Sequence, residues 1–277
     1  MPELPEVERA RRLIEHVAIG HRILEVTCAH DPIVLVNVSP ATVTRTLTNR
    51  MVLGVRRRGK HLWLELDQRP WPCFHLGMTG HFRTKGDVPL QLASSPSHAD
   101  QMWPPRFSKL HLVLTGGIEL ALTNKRRLGR IRLRHDPEHE PPISELGFDP
   151  LLDLPSPTRF AELFSKRSGV IKSLLLDQSF AAGVGNWIAD EVLYQARLDP
   201  RRHANQLSAS DIRRLRLKLR HIIQTAVRAN ADKTQLPKSW LFHRRWGRKS
   251  NMTIQGRRIE HLTIGGRTTA WVPEVQE

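Results

Sequence analysis

Near the start of the chain, apolar residues recur at helical spacing, and then the rhythm changes. Leu13, Ile14 and Val17 share one face of a helix whose body spans residues 9–17. Pro5, Glu6 and Glu8 suit its first turn, where proline is tolerated and acids meet the positive end of the dipole, and Gly20 ends it. Strand-like runs follow at residues 23–28, 51–55 and 61–66, the last two separated by Arg56-Arg57-Arg58-Gly59-Lys60. After Phe74-His75-Leu76-Gly77-Met78-Thr79-Gly80 comes a polar, proline-bearing loop over residues 86–105. Residues 110–114 and 118–122, joined through Gly116-Gly117, read as a β-hairpin. One helix followed by many antiparallel strands predicts a β-sandwich.

From residue 136 to 157 the strand pattern stops and prolines cluster at 137, 141, 142, 150, 155 and 157, which reads as an interdomain linker. Beyond it the period becomes helical, over residues 160–166, 170–177, 186–196 and 208–230, with Ser208 and Asp211 forming a weak capping pair. The tail returns to hairpins with turns at Gln255-Gly256 and Gly265-Gly266. No internal repeat or low-complexity segment interrupts this order. The expected class is therefore α+β in two domains: a β-sandwich with an N-terminal helix (1–135), the linker (136–157), and a helical domain (158–235) ending in a hairpin segment (236–277).

Composition narrows the partners. The 277 residues suffice for two cores, and 43 basic against 27 acidic residues give a formal charge of +16. Such an excess points to a polyanion, because each phosphate contact releases counterions. A ribosomal or nucleoid scaffold would carry similar charge, whereas an apolar share of 39% excludes a disordered basic tail. The two cysteines, Cys28 and Cys73, lie far apart, which argues against a disulfide framework and suits a reducing compartment. No stretch is apolar enough to span a bilayer, and acids stand where a signal peptide needs a basic run, so an intracellular, membrane-free protein is expected.

The chemistry concentrates in Met1-Pro2-Glu3-Leu4-Pro5-Glu6-Val7-Glu8. Methionine is usually trimmed before a small residue such as proline, and trimming here would expose the Pro2 nitrogen as a secondary amine. An α-amino group titrates near about 7.7–8.0, so part of it is neutral and nucleophilic where a lysine would not be. Glu3 stands beside it as a general acid or base. A proline-rich helix start with acids matching the dipole would look the same on composition alone. A second run, Leu174-Leu175-Leu176-Asp177-Gln178-Ser179-Phe180-Ala181-Ala182-Gly183-Val184-Gly185-Asn186-Trp187-Ile188-Ala189-Asp190-Glu191, reads as helix, small-residue turn, helix. Its second helix start offers unpaired N–H groups to a phosphate, and Asn186 there can cap the helix or donate to the anion.

The octet is letter for letter the start of the formamidopyrimidine-DNA glycosylase and endonuclease VIII family, and the second run resembles that family's helix–two-turn–helix almost residue for residue. The resemblance covers nearly the whole chain in order. It implies a bifunctional DNA glycosylase and abasic-site lyase of base excision repair, with damaged double-stranded DNA bent in a cleft between the domains and the lesion everted. It assigns Pro2 as the nucleophile forming a Schiff base with C1′, Glu3 as the proton donor to the opening sugar, and Glu6 as a support that orients the helix or a water. Lys60 and Arg267, in Gly265-Gly266-Arg267-Thr268-Thr269, match phosphate-binding groups that assist β,δ-elimination. Lys172 and Asn186 match phosphate contacts. Met78 and Arg126 match two of the residues that fill the gap left by the everted nucleotide, and Leu128 stands where phenylalanine is common, which predicts altered lesion scanning.

The tail departs from many relatives, which carry a four-cysteine zinc finger. No cysteine follows Cys73, so that site does not fit, and the segment from Leu236 resembles the zincless branch of plant, fungal and endonuclease VIII-like members. There Trp240, Phe242, Trp246 and Trp271 are expected to supply the support zinc gives elsewhere, with His243 and His261 at the surface or on phosphates. No metal or cofactor is called for, since the imine is the electron sink, and a monomer is expected. The short stretch 230–236, where many relatives have a longer loop over 8-oxoguanine, implies a preference for formamidopyrimidines or hydantoins. The rival reading is a catalytically silent DNA- or RNA-binding protein on the same fold.

Overall fold

The structure, a computed structural model, describes residues 2–86, 102–246 and 252–277. The chain divides into two compact units, Met1–Glu145 and Leu146–Glu277. The first contains α1 (Leu4–Ala18), β1 (Ile23–Cys28), α2 (Pro40–Leu47), β2 (Val52–Arg58), β3 (His61–Leu66), β4 (Trp71–His75), β5 (His81–Thr84), β6 (Ser108–Leu114), β7 (Glu119–Thr123) and β8 (Arg130–Arg134). Two antiparallel four-stranded sheets form, ordered β1-β6-β7-β5 and β2-β3-β4-β8. Leu110, Leu112, Leu114, Leu120 and Leu122 of the first meet Val52, Val55, Leu62, Leu64 and Phe74 of the second in one buried core, which makes the pair a sandwich. Val7, Ala10, Ile14 and Ala18 lay the inner stripe of α1 on the same core.

Two expectations for this unit are corrected. Arg56–Arg57–Arg58 is not an interstrand run but the end of β2, paired with β3 in the register Arg56↔Trp63, Arg57↔Leu62, Arg58↔His61. Tertiary pairing overrides the local polarity because Arg57 points inward to a buried carboxylate. The helix α2 has no counterpart among the expected elements. Its three threonines and a valine are poor helix formers, but Ser39 accepts from the Thr42 N–H, Pro40 opens the first turn, and Val43 and Leu47 are buried. The polar loop over residues 86–105 falls mostly, at 87–101, outside the described residues.

The second unit contains α3 (Pro157–Ser165), α4 (Ile171–Leu176), α5 (Asn186–Gln195), α6 (Ala209–Arg228), a small β9–β10 hairpin (Thr253–Ile254, Arg257–Arg258) and a β11–β12 hairpin (Glu260–Ile264, Arg267–Trp271). Helix α5 is buried from Trp187 to Tyr194, and it is the central helix on which α4, α6 and β12 pack. Helix α6 buries Ile212, Leu215, Leu219, Ile222 and Ile223 and starts with a full reciprocal capping box between Ser208 and Asp211. Among the described residues no helix is long and apolar enough to cross a membrane.

Candidate active site

The N-terminus is built as a pre-set helix start. Glu3 is the N-cap of α1, with extended backbone, and Glu3 and Glu6 form a reciprocal capping box in which Glu6 Oε2 accepts from the Glu3 N–H at 3.0 Å. Pro5 falls at the second helical position, where its missing N–H costs nothing. This geometry holds Pro2 at the open end of the helix with the Glu3 carboxyl, buried, next to it. Burial, reinforced by the neighbouring Glu3, pushes the Glu6 carboxyl up to about 7, so Glu6 titrates near neutrality.

One turn on, Glu8 fastens this helix. It accepts from Arg57 Nε at 3.0 Å, Arg11 Nε at 3.1 Å and Arg12 Nε at 3.2 Å. Burial works to raise its pKa, and the Arg11 and Arg57 guanidinium groups outweigh it and hold the carboxyl below its ordinary value. Arg57 then donates through Nη1 to the Gly59 carbonyl at 3.0 Å. Gly59 has φ +56°, the left-handed turn that leads into Lys60. One buried arginine thus ties α1 to the turn that carries Lys60, itself largely buried.

Beyond Lys60 lie His61 and His75, paired across β3 and β4 with ring centroids 4.9 Å apart. Burial, then their mutual proximity and the charges of Lys60 and Arg132, lower His61 to about 3; burial, Lys60 and Arg132 lower His75 to about 4. Both rings are neutral at physiological pH, and His75 Nδ1 accepts from the Gly77 N–H at 3.2 Å.

The residues expected to fill a vacated stack are brought together. Buried Asn124 donates to the Leu76 carbonyl at 2.9 Å and accepts the Leu128 and Gly129 N–H groups at 3.0 and 3.2 Å. Gly77, at φ +64°, lies so close to the second loop that a Cβ there would sit 2.3 Å from the Leu128 carbonyl carbon. Met78 is half-buried, while Arg126 and Leu128 are exposed, Leu128 at 41%. Asp31 grips Arg127 at 2.9 and 3.0 Å and holds the loop from its far side.

In the second unit, Gln178 pins the turn between α4 and α5 by donating to the Leu176 and Val184 carbonyls and accepting the Gly183 N–H. The N-cap of α5 is Gly185, so Asn186 does not cap it; instead Asn186 Nδ2 donates to the Thr268 carbonyl at 2.8 Å. The phosphate role expected of Lys172 is also corrected. Its side chain is 0% exposed, ion-paired with Asp190 and donating to Thr269 Oγ1 at 2.7 Å, so an external phosphate cannot reach it. Asp190, quoted in the sequence run without a role, is the centre of this cluster and also accepts from Arg245 Nη2 at 2.6 Å and the Ala270 N–H at 3.1 Å. Arg267 opens β12, exposed, immediately after the Gly265-Gly266 turn.

Of the aromatic residues expected to support the tail, Trp240, Phe242 and Trp271 are buried, but Trp246 is 48% exposed, under the Arg245 guanidinium at 4.6 Å. His243 is half-buried, with its Nε2 3.2 Å from the Leu236 carbonyl. Among the described residues no three His, Cys, Asp or Glu side chains gather as metal ligands.

Known proteins give this geometry a lineage. Residues 1–131 match the formamidopyrimidine-DNA glycosylase N-terminal domain, 146–238 the H2TH domain of the same glycosylases, and 240–273 the formamidopyrimidine-DNA glycosylase-like C-terminal domain. The chain belongs to the formamidopyrimidine-DNA glycosylase family. It is 43% identical over 277 residues to the formamidopyrimidine-DNA glycosylase of Arabidopsis thaliana, covering 100% of this chain and 71% of the relative. The enzyme of that name from Moorella thermoacetica is 33% identical over 97% of this chain and 89% of its own length. A solved structure of the Lactococcus lactis glycosylase with DNA containing a formamidopyrimidine lesion superposes with a TM-score of 0.80 at 25% identity, covering 99% of this chain and 100% of that one. The family's N-terminal model covers Pro2, Glu3, Lys60 and the Met78 and Arg126 loops, and its C-terminal model covers Arg267.

Proposed function

We propose that this protein is a DNA glycosylase and abasic-site lyase that removes oxidised bases from double-stranded DNA through an imine on Pro2. With Met1 removed, the Pro2 nitrogen attacks C1′ of the damaged nucleotide, and the C1′–N bond breaks as the base leaves. Glu3 delivers a proton to the ring oxygen as the sugar opens, leaving an iminium between Pro2 and C1′. The iminium acidifies the C2′ hydrogen; its loss expels the 3′ phosphate, and a second elimination expels the 5′ phosphate. Lys60 and Arg267 neutralise the departing phosphates. Glu6, bonded to the Glu3 backbone and titrating near 7, keeps the helix start in register and holds a proton close to the amine. Met78, Arg126 and Leu128 occupy the space of the everted nucleotide, and Asn186 contacts the backbone.

The observation that carries this reading is the capping box that fixes Glu3 directly after Pro2. The test is borohydride trapping on an abasic duplex. Processed protein leaves a covalent adduct, Glu3→Gln cuts base excision strongly, and protein with Met1 retained leaves no adduct. Full cleavage by a chain proved by mass spectrometry to keep Met1 overturns the reading, and a protein that binds the duplex without trapping is a silent binder.

The partner is damaged duplex DNA, bound by a monomer in a compartment that holds DNA, without a membrane. Lesion choice follows from the brief turn after α6: we infer preference for formamidopyrimidines or hydantoins over 8-oxoguanine, and equal or faster turnover of 8-oxoguanine duplexes removes that inference.

A further inference from the structure

The β11–β12 hairpin that presents Arg267 is a two-stranded sheet with no third strand among the described residues. Such ribbons are marginal by themselves, so what they dock on sets where they point. Here the three residues following Arg267 are each gripped from the helices. The Thr268 carbonyl accepts from Asn186 Nδ2, Thr269 Oγ1 accepts from Lys172 Nζ at 2.7 Å, and the Ala270 N–H donates to Asp190 Oδ2 at 3.1 Å. On the facing side of the turn, Gly265 packs against Ser173, where a Cβ would lie 3.0 Å from Oγ.

Asp190 joins these grips. Its carboxylate is buried and takes Lys172 on Oδ1 and Arg245, through Nε at 3.2 Å and Nη2 at 2.6 Å, on Oδ2 together with the Ala270 N–H. Lys172 belongs to α4, Asp190 to α5, Ala270 to β12, and Arg245 to the segment that follows residues 241–243. One acid therefore ties four pieces of chain, holding β12 at Ala270 directly and at Thr269 through Lys172, within three positions of the exposed arginine. The adjacent acid, Glu191, serves another contact, accepting the Phe242 N–H at 2.8 Å.

We propose that Asp190 is a positioning residue for Arg267: it sets the hairpin at the height at which that arginine meets the second departing phosphate. The proposal rests on the role given to Arg267 above. It predicts a selective defect. Pro2 chemistry and the first elimination persist, while the second elimination falls behind.

The test uses the full processed chain on an abasic-site duplex, reading trapped adduct, the ratio of δ- to β-elimination product, and hydrogen exchange of the hairpin amides. For Asp190→Asn, adduct yield stays within about 2-fold of the parent while the δ/β ratio falls by about 10-fold, the size that loss of one aligned charged contact produces. Exchange of the amides from Glu260 to Trp271, Ala270 first, speeds up by about 10-fold or more, with α1 unchanged. Arg245→Lys, which keeps charge but not the forked bond, moves ratio and exchange the same way by less, and it serves if Asp190→Asn fails to fold. Arg267→Ala is the control. If it lowers the ratio and a folded Asp190→Asn does not, or if hairpin exchange in the folded variants matches the parent, the proposal is overturned. If Arg267→Ala leaves the ratio untouched, the role of Arg267 falls, and hairpin exchange alone still decides whether Asp190 holds the ribbon.

Discussion

Glu8 and Asp190 are the same device in two settings. Each is a buried carboxylate that fastens one element, the start of α1 or the β11–β12 hairpin, and each takes a cation from a distant part of the chain. They differ in what surrounds the charges. Of the three arginines on Glu8, Arg12 is 43% exposed at its side chain and Arg11 19%, so only Arg57 is sealed in. Around Asp190, Lys172 is fully buried and Arg245 nearly so. An anchor that can fall back on water tolerates damage; one built wholly from buried charge does not, since removing one partner strands the others.

That contrast can be broken by subtraction. Asp190→Ala leaves two buried cations facing each other and should cost about 3–5 kcal/mol, the largest effect, measured by chemical denaturation. Glu8→Ala takes the buried ion-pair partner from Arg57, which keeps the Gly59 carbonyl, and should cost about 2–3 kcal/mol, with Arg11 and Arg12 turning to solvent. Equal losses for the two would show that burial of the partners does not matter here. Arg57→Lys keeps the charge but loses the planar fork that spans Glu8 and the Gly59 carbonyl, and should cost about 1 kcal/mol while slowing phosphate departure through Lys60 more than it weakens DNA binding. An unchanged rate would mean that the turn before Lys60 holds itself.

The smallest effect is in pH. Glu8 has a depressed folded pKa, so its contribution is present above the unfolded value of 4.5 and is lost as pH falls through the folded one. Glu6 is raised to about 7, so its contribution is full below 4.5 and is lost as pH rises through about 7. Glu8→Gln and Glu6→Gln should therefore change the slope of melting temperature against pH in opposite directions, two residues apart on one helix. Slopes that move together would contradict the assignment of one acid to cations and the other to burial.

Much of this was legible in the residues. The octet announced the helix start because Pro5 and the first-turn acids are local signals, and β1 and β3 matched their apolar runs to the residue. The role of Lys172 was misread because a lysine's burial depends on its partner; Asp190 is 18 positions away and Thr269 97. Arg57 reads as lying between strands for the same reason, with its partner Glu8 49 residues upstream. A signal was nonetheless present: Asp190 and Glu191 are adjacent acids inside a mostly apolar helix, and a charge buried there needs a partner to meet it.

Asn124 carries one more implication. Because a single amide laces the Met78 loop to the Arg126–Leu128 loop, and Gly77 leaves no slack between them, the pair behaves as one rigid prong rather than two fingers. An exchange at Leu128 alone would then be transmitted to Met78. A graft of either segment should therefore carry the other together with their shared asparagine.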